Sequence, residues 1–171
     1  MTGARRGTAY HRAAQWLTAR RPGVYALRHI FTPLDKLVLR LSRGRRSLLP
    51  RAIPGMVLTT TGRKTGKRHA TPVLYLEDDG RYVVVASNYG NRKHPGWSYN
   101  LAATPRASVQ IGDGSFEVAA RRATPEEFRL YWPRLVELWP GWKMYRTMTD
   151  REFRMFVLER RDDGEQRASA G

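Results

Sequence analysis

The chain has no cysteine, so disulfides, thiolate metal sites, redox thiols and cysteine nucleophiles are excluded within it. Apolar runs are short. None approaches the roughly 18 residues that a membrane-crossing helix needs. The N-terminus also lacks an apolar stretch of about 7–15 residues ending in small side chains, so a cytoplasmic location is expected rather than secretion. The four histidines, His11, His29, His69 and His94, lie among arginines with no carboxylate at ligand spacing, and no metal site is expected. Neither Ser87 nor Ser98 sits in a G-x-S-x-G elbow. Acidic residues are scarce: 15 stand against 31 Lys and Arg, for a net charge of +16. That excess favours phosphate, nucleic acid or anionic lipid as partner and carries no information about fold. Residues 1–51 hold 12 of the basic residues and only Asp35 on the acidic side, a surplus of 11 that leaves +5 for the remainder.

What is present fits one domain, since 171 residues suffice to bury a core without metal or disulfide. From Thr8 to Arg20, Tyr10, Ala13, Trp16 and Leu17 share a helical face until Arg21-Pro22-Gly23 interrupts it. Thr32-Pro33 reads as the N-cap and first residue of a second helix, with Leu34, Leu37, Val38 and Leu41 on one side and Lys36, Arg40 and Arg43 on the other. Two readings stand side by side here: a basic amphipathic segment on an anionic membrane, and an ordinary surface helix with a solvated face. No nucleic-acid module is recognisable, and specific nucleic-acid binding is not expected.

The centre alternates strands and turns. Met56–Thr60 is a short β-prone run, followed by the turn Thr61-Gly62-Arg63-Lys64-Thr65-Gly66-Lys67-Arg68. Thr71–Glu77 and Tyr82–Ser87 read as a hairpin joined by Asp78-Asp79-Gly80. The turn has neither P-loop nor G-x-G-x-x-G spacing. Its cations and exposed N–H groups suit a phosphate, and a solvated hairpin tip is the competing reading. Beyond Ser87-Asn88-Tyr89-Gly90-Asn91, His94-Pro95-Gly96 leads into a short helix, Trp97–Leu101, ended by Thr104-Pro105. Trp97 and Asn100 could face a ring-shaped ligand, or Trp97 could fill the core.

Ala107–Ile111 and Ser115–Arg121 form another hairpin pattern around Gly112-Asp113-Gly114. Thr124-Pro125-Glu126-Glu127 opens a helix through Phe128, Tyr131, Leu135 and Leu138, with Pro133 expected to kink or break it. The segment Trp139–Tyr145 is rich in aromatics, and Phe153–Glu159 is a sixth strand. Polar groups abound but no nucleophile and base stand out, a deficit that points toward a cofactor as carrier of the reactive atom.

These motifs resemble the deazaflavin-dependent nitroreductases, coenzyme F420-dependent oxidoreductases found mainly in actinobacteria. The likeness runs from about Pro54 to Glu159. It is carried by Thr61-Gly62-Arg63-Lys64-Thr65-Gly66, Thr71-Pro72-Val73-Leu74-Tyr75, Val84-Val85-Ala86-Ser87-Asn88 with Gly90, and His94-Pro95-Gly96-Trp97 with Asn100-Leu101. The resemblance implies a mainly β (α+β) fold, a pyridoxamine-phosphate-oxidase-like split barrel of about six antiparallel strands over 52–160, with a basic helical extension over 1–51 and a polar tail over 161–171. It implies F420, with FMN as the alternative cofactor, held by Arg63, Lys64, Thr65, Gly66, Arg68, His69, Pro72, Ala86, Ser87, Asn88, Gly90, His94, Pro95, Trp97 and Asn100. It further implies hydride transfer to a planar electron-poor acceptor, a quinone or nitro compound, against Leu74, Trp139, Trp142 and Tyr145, with Tyr145 orienting or protonating it. Quinone-reducing relatives carry comparable N-terminal segments, which extends the expectation to peripheral contact between residues 8–46 and the inner face of an anionic membrane. Three departures bear on the site: His69 stands where many relatives have arginine, Tyr89 where glycine is common, and only Tyr145 keeps a hydroxyl in a patch that is tyrosine-rich elsewhere. A non-catalytic protein binding anionic lipid or nucleic acid is the reading from another class.

Overall fold

The computed structural model describes residues 54–161, with Leu34 and Val38 as isolated helical positions before them. The helices expected over residues 8–20 and from Pro33 onward otherwise lie outside the described residues, as does the tail beyond Arg161. Among the described residues the strands are β1 (Gly55–Thr61), β2 (Arg68–Asp78), β3 (Arg81–Ala86), β4 (Arg106–Ile111), β5 (Gly114–Arg122) and β6 (Arg154–Arg160). The helices are α1 (Gly96–Ala103), α2 (Pro125–Leu138) and α3 (Gly141–Arg146), and a 3-10 turn spans Asn88–Gly90.

The six strands close into an antiparallel barrel in the order β1-β2-β3-β6-β5-β4, with β4 pairing back onto β1. This is the split-barrel architecture anticipated from the sequence. Asp79 and Gly80 both adopt positive φ (50° and 74°), as a two-residue type I′ hairpin between β2 and β3 requires. Alternation along the strands divides the apolar residues into two layers. Met56, Leu58, Val84, Val109, Phe156 and Leu158 point into the barrel with Trp97 and Leu101 of α1, while Val83, Val85, Met155 and Val157 face outward beneath Tyr131, Leu135, Trp139, Trp142 and Tyr145.

Helix α2 begins in a complete capping box: Thr124 Oγ1 accepts from Glu127 N–H, and the Glu127 carboxylate accepts from Thr124 N–H. The helix runs on through Pro133 to Leu138 rather than breaking there. An interior proline costs about 3 kcal/mol, and buried anchors on both sides of it, Tyr131 at 2% and Leu135 at 0% exposure, keep the two halves on the barrel. Asp78 adds a tether, accepting from Tyr131 Oη at 3.0 Å and from Arg134 at 2.8 Å.

One seam of the barrel lacks pairing. β2 pairs with β1 over Arg68–Leu74 but with β3 only over Tyr75–Asp78, while Val85 and Ala86 at the end of β3 pair with β6 alone. Tyr75 N–H donates to the Pro54 carbonyl at 3.1 Å. Because backbone groups alternate in direction along an antiparallel strand, Val73 and Thr71 also turn theirs to β1, and Pro72 turns its own to the seam. A proline there forfeits no ladder bond and blunts an open edge.

Candidate functional site

The basic turn between β1 and β2 sits at one end of this seam. Gly62 N–H donates to Lys67 O at 2.7 Å, Gly66 N–H to Gly62 O at 2.7 Å and Thr65 N–H to Gly62 O at 3.2 Å, and Thr65 Oγ1 accepts from Lys67 N–H at 3.3 Å. Both glycines are needed: Gly66 has φ +66°, and a Cβ on Gly62 would stand 2.8 Å from His69 Nε2 and 2.9 Å from Thr65 Oγ1. Asn100 of α1 fixes the turn from below, its Oδ1 accepting from Arg63 N–H at 3.2 Å and its Nδ2 donating to Thr60 Oγ1 at 3.0 Å. The Lys64 N–H has no partner among the described residues. Together with the exposed Arg63, Lys64 and Lys67 side chains, it forms a donor set for an anion. Arg68 and His69 diverge: Arg68 reaches outward to Ser108 Oγ on β4, whereas His69 lies against Gly62.

The opposite wall is the segment leaving β3. Ala86, Ser87, Asn88, Gly90 and His94, five of the anticipated cofactor residues, are drawn together here by a side chain with no sequence signal. Arg151 donates to the carbonyls of Ala86 (3.2 Å), Ser87 (2.7 Å) and Asn91 (3.0 Å) and to His94 Nδ1 (2.7 Å). Burial, then the charges of Arg151, Arg154 and Arg122, push His94 down from 6.5 to about 4. His94 is therefore neutral at physiological pH, and because Nδ1 accepts from an obligate donor its proton resides on Nε2. Pro95 forms the N-cap of α1 and accepts from Ser98, while Trp97 is buried against Phe156 in the barrel interior.

Cations converge between these two walls. The guanidinium carbons of Arg63 and Arg154 each lie 4.7 Å from the centre of the Tyr99 ring, and His94 meets the same ring edge to face at 5.8 Å. Among the described residues, Arg63, Arg122, Arg151 and Arg154 have no carboxylate partner, while the ion pairs present engage Arg81, Arg121, Arg129 and Arg134. Like charges gathered in one cluster without carboxylate partners favour an anion at that place.

The residues expected to meet the acceptor form a single cluster outside the barrel. Leu74 packs with Trp139, Trp142 and Tyr145, and Tyr89 meets Tyr145 edge to face at 5.7 Å, joining this cluster to the 86–94 segment. Trp139, Trp142 and Tyr145 are all buried, at 6, 3 and 2% exposure. Trp139 Nε1 donates to Tyr145 Oη at 3.4 Å. Burial raises the Tyr145 phenol well above its ordinary value against the opposing effect of that bond, so it acts as a neutral hydroxyl.

A closed antiparallel barrel with an unpaired seam and a cationic rim defines a split-barrel protein. The family model for F420H(2)-dependent quinone reductase matches residues 36–160, and the chain belongs to that family. An F420H(2)-dependent quinone reductase of Mycobacterium tuberculosis is 32% identical over 157 residues, covering 86% of this chain and 98% of the relative. Among solved structures, an F420-H2 dependent reductase is 40% identical with a TM-score of 0.57, covering 62% of this chain and 94% of that one. A chain described as a domain-swapped dimer is 36% identical with a TM-score of 0.60, at 74% and 99% coverage.

Sequence motifs had pointed to the basic turn, to Pro72, to the 86–94 segment and to Asn100. Arg151, Arg154 and Arg122 had escaped notice. Arg151 lies 57 positions from His94, and no local spacing announces such a contact.

Proposed function

We propose that this chain is an F420H2-dependent oxidoreductase that passes a hydride to a planar, electron-poor acceptor, a quinone foremost and a nitro compound second. The observation that carries the reading is the arginine cluster around Tyr99, which lacks carboxylate partners among the described residues in a member of this family. Bound F420H2 supplies the hydride, and its phosphate and glutamate tail supply negative charge that a neutral ligand could not. Arg63, Lys64 and Thr65 hold the phosphate, and Asn100 keeps their turn in place. Pro72 and the segment Ala86–Asn88 flank the seam in which the ring is held.

Leu74, backed by the buried Trp139 and Trp142, gives the acceptor an apolar wall that excludes water, and the buried Tyr145 braces that wall through its hydroxyl's bond with Trp139. A phenol this strongly desolvated is a weak acid, so it serves through that hydrogen bond and not as a proton source. An acceptor dissolved in lipid agrees with the basic surplus of residues 1–51, and in this reading residues 8–46 carry a peripheral contact with the inner face of the membrane.

The test is oxidation of F420H2 by purified protein against a panel of quinones and nitroaromatics, with F420 and FMN titrated side by side. Saturable F420 binding and faster turnover of quinones are expected. Saturable binding of FMN alone would replace this reading with a flavin enzyme of the same barrel.

A further inference from the structure

We propose that Arg151 is the positioning residue of the 86–94 segment: its guanidinium ties the two ends of that segment together and holds His94 as the neutral tautomer protonated on Nε2. The purpose given to the segment rests on the cofactor reading above, whereas the clamp stands on geometry alone.

The segment needs an external anchor. Asn88, Tyr89 and Gly90 are consecutive left-handed residues, with φ of 47°, 53° and 72°, and two of them pay the steric cost that glycine avoids. Within the segment Asn91 N–H donates to Asn88 O at 2.9 Å, Gly90 N–H to Ser87 O at 3.1 Å, and Asn88 Nδ2 to Lys93 O at 2.8 Å. Three carbonyls and an imidazole nitrogen are instead directed at one point. A guanidinium has five N–H donors in a fixed planar fork and matches such a set, whereas an ammonium is a point donor on a flexible stem. Arg151 is itself set by the Phe153 ring, 5.0 Å from its guanidinium carbon.

The same contact decides the state of His94. An arginine is always a donor, so Nδ1 must accept and the proton must sit on Nε2. The charged groups acting on His94 are Arg151, Arg154 and Arg122, and the Tyr99 ring covers it from α1. All three charges oppose its protonation. The segment therefore presents one fixed N–H donor across the physiological pH range.

The test uses the full chain. His94 is followed by NMR of ring-labelled protein without ligand, its signals assigned with His94→Gln, and F420 affinity is measured by fluorescence. In wild type, His94 should show the Nε2–H tautomer and no titration at neutral pH. In Arg151→Met its midpoint should rise by about one pH unit or more as an acceptor and an opposing charge are released, and F420 affinity should fall by about tenfold, the worth of one charge-assisted contact. Arg151→Lys, which keeps an obligate donor and the charge but not the fork, should keep His94 neutral yet lower F420 affinity as far as Arg151→Met does, and it carries the test if the methionine variant fails to fold. An unchanged tautomer and midpoint in Arg151→Met, or wild-type F420 affinity in Arg151→Lys, would overturn the proposal. Absence of F420 binding to wild type would instead overturn the cofactor reading and leave the NMR comparison intact.

Discussion

Lys64 is where charge and backbone geometry meet, since its ammonium is exposed and its N–H has no partner among the described residues. Lys64→Ala should weaken F420 binding by about 1.5–3 kcal/mol, the usual worth of a hydrogen bond to a charged group. A fluorescence titration giving wild-type affinity would remove Lys64 from the site. His94 makes a different kind of prediction. Its folded value of about 4 lies below the unfolded 6.5, so at acid pH the unfolded chain takes up a proton that the folded chain resists. Stability should therefore be level above about pH 6.5 and fall as pH drops toward about 4. Urea midpoints near pH 7.5 and pH 5 should differ less in His94→Gln than in wild type. An equal difference would show that other groups carry the acid sensitivity. At this scale the sequence disclosed His94 and Lys64 through their local motifs, but not the arginine that decides the chemistry of His94.

At the scale of elements, the 3-10 turn and α3 are held together at Gly90. Its φ is +72°, and a Cβ would stand 2.6 Å from the Tyr145 carbonyl and 2.8 Å from Met148 Cβ. Neither the backbone oxygen nor the Cβ can move without shifting α3, so Gly90→Ala should cost about 2–4 kcal/mol, combining left-handed strain with overpacking. Thermal melts check this, and a loss below about 0.5 kcal/mol, the range of ordinary surface changes, would mean that α3 yields readily. The six strands were legible because alternation and turn residues mark them locally. The start of β2 was not: Arg68-His69-Ala70 is polar and exposed, and only its pairing with Thr61, Thr60 and Thr59 makes it strand. Continuity of α2 through Pro133 was hidden for the same reason, because tertiary anchors at Tyr131 and Leu135 outweigh the local preference.

For the whole molecule the governing quantity is the distribution of charge. In the proposed reading the barrel's own cationic cluster faces an anionic cofactor, which leaves the surplus of 11 in residues 1–51 without a role in that site. Residues 1–51 contain no apolar run near the roughly 18 residues that a membrane-crossing helix needs, so the association proposed for them is peripheral. Each basic residue near an anionic surface contributes about 1 kcal/mol, an attraction that decays within a Debye length of about 10 Å at 0.1 M salt. The apolar positions Leu34, Leu37, Val38 and Leu41 would add a component that salt does not screen. Vesicles containing phosphatidylserine should therefore float the full chain at low salt, retain part of it at high salt, and fail to float a chain lacking residues 1–44. Neutral vesicles should bind the full chain more weakly at low salt, and the two vesicle types should converge as salt is raised. Equal flotation of full and shortened chains would move the membrane contact onto the barrel. Flotation abolished by salt would reduce it to electrostatic attraction without insertion of the apolar stripe.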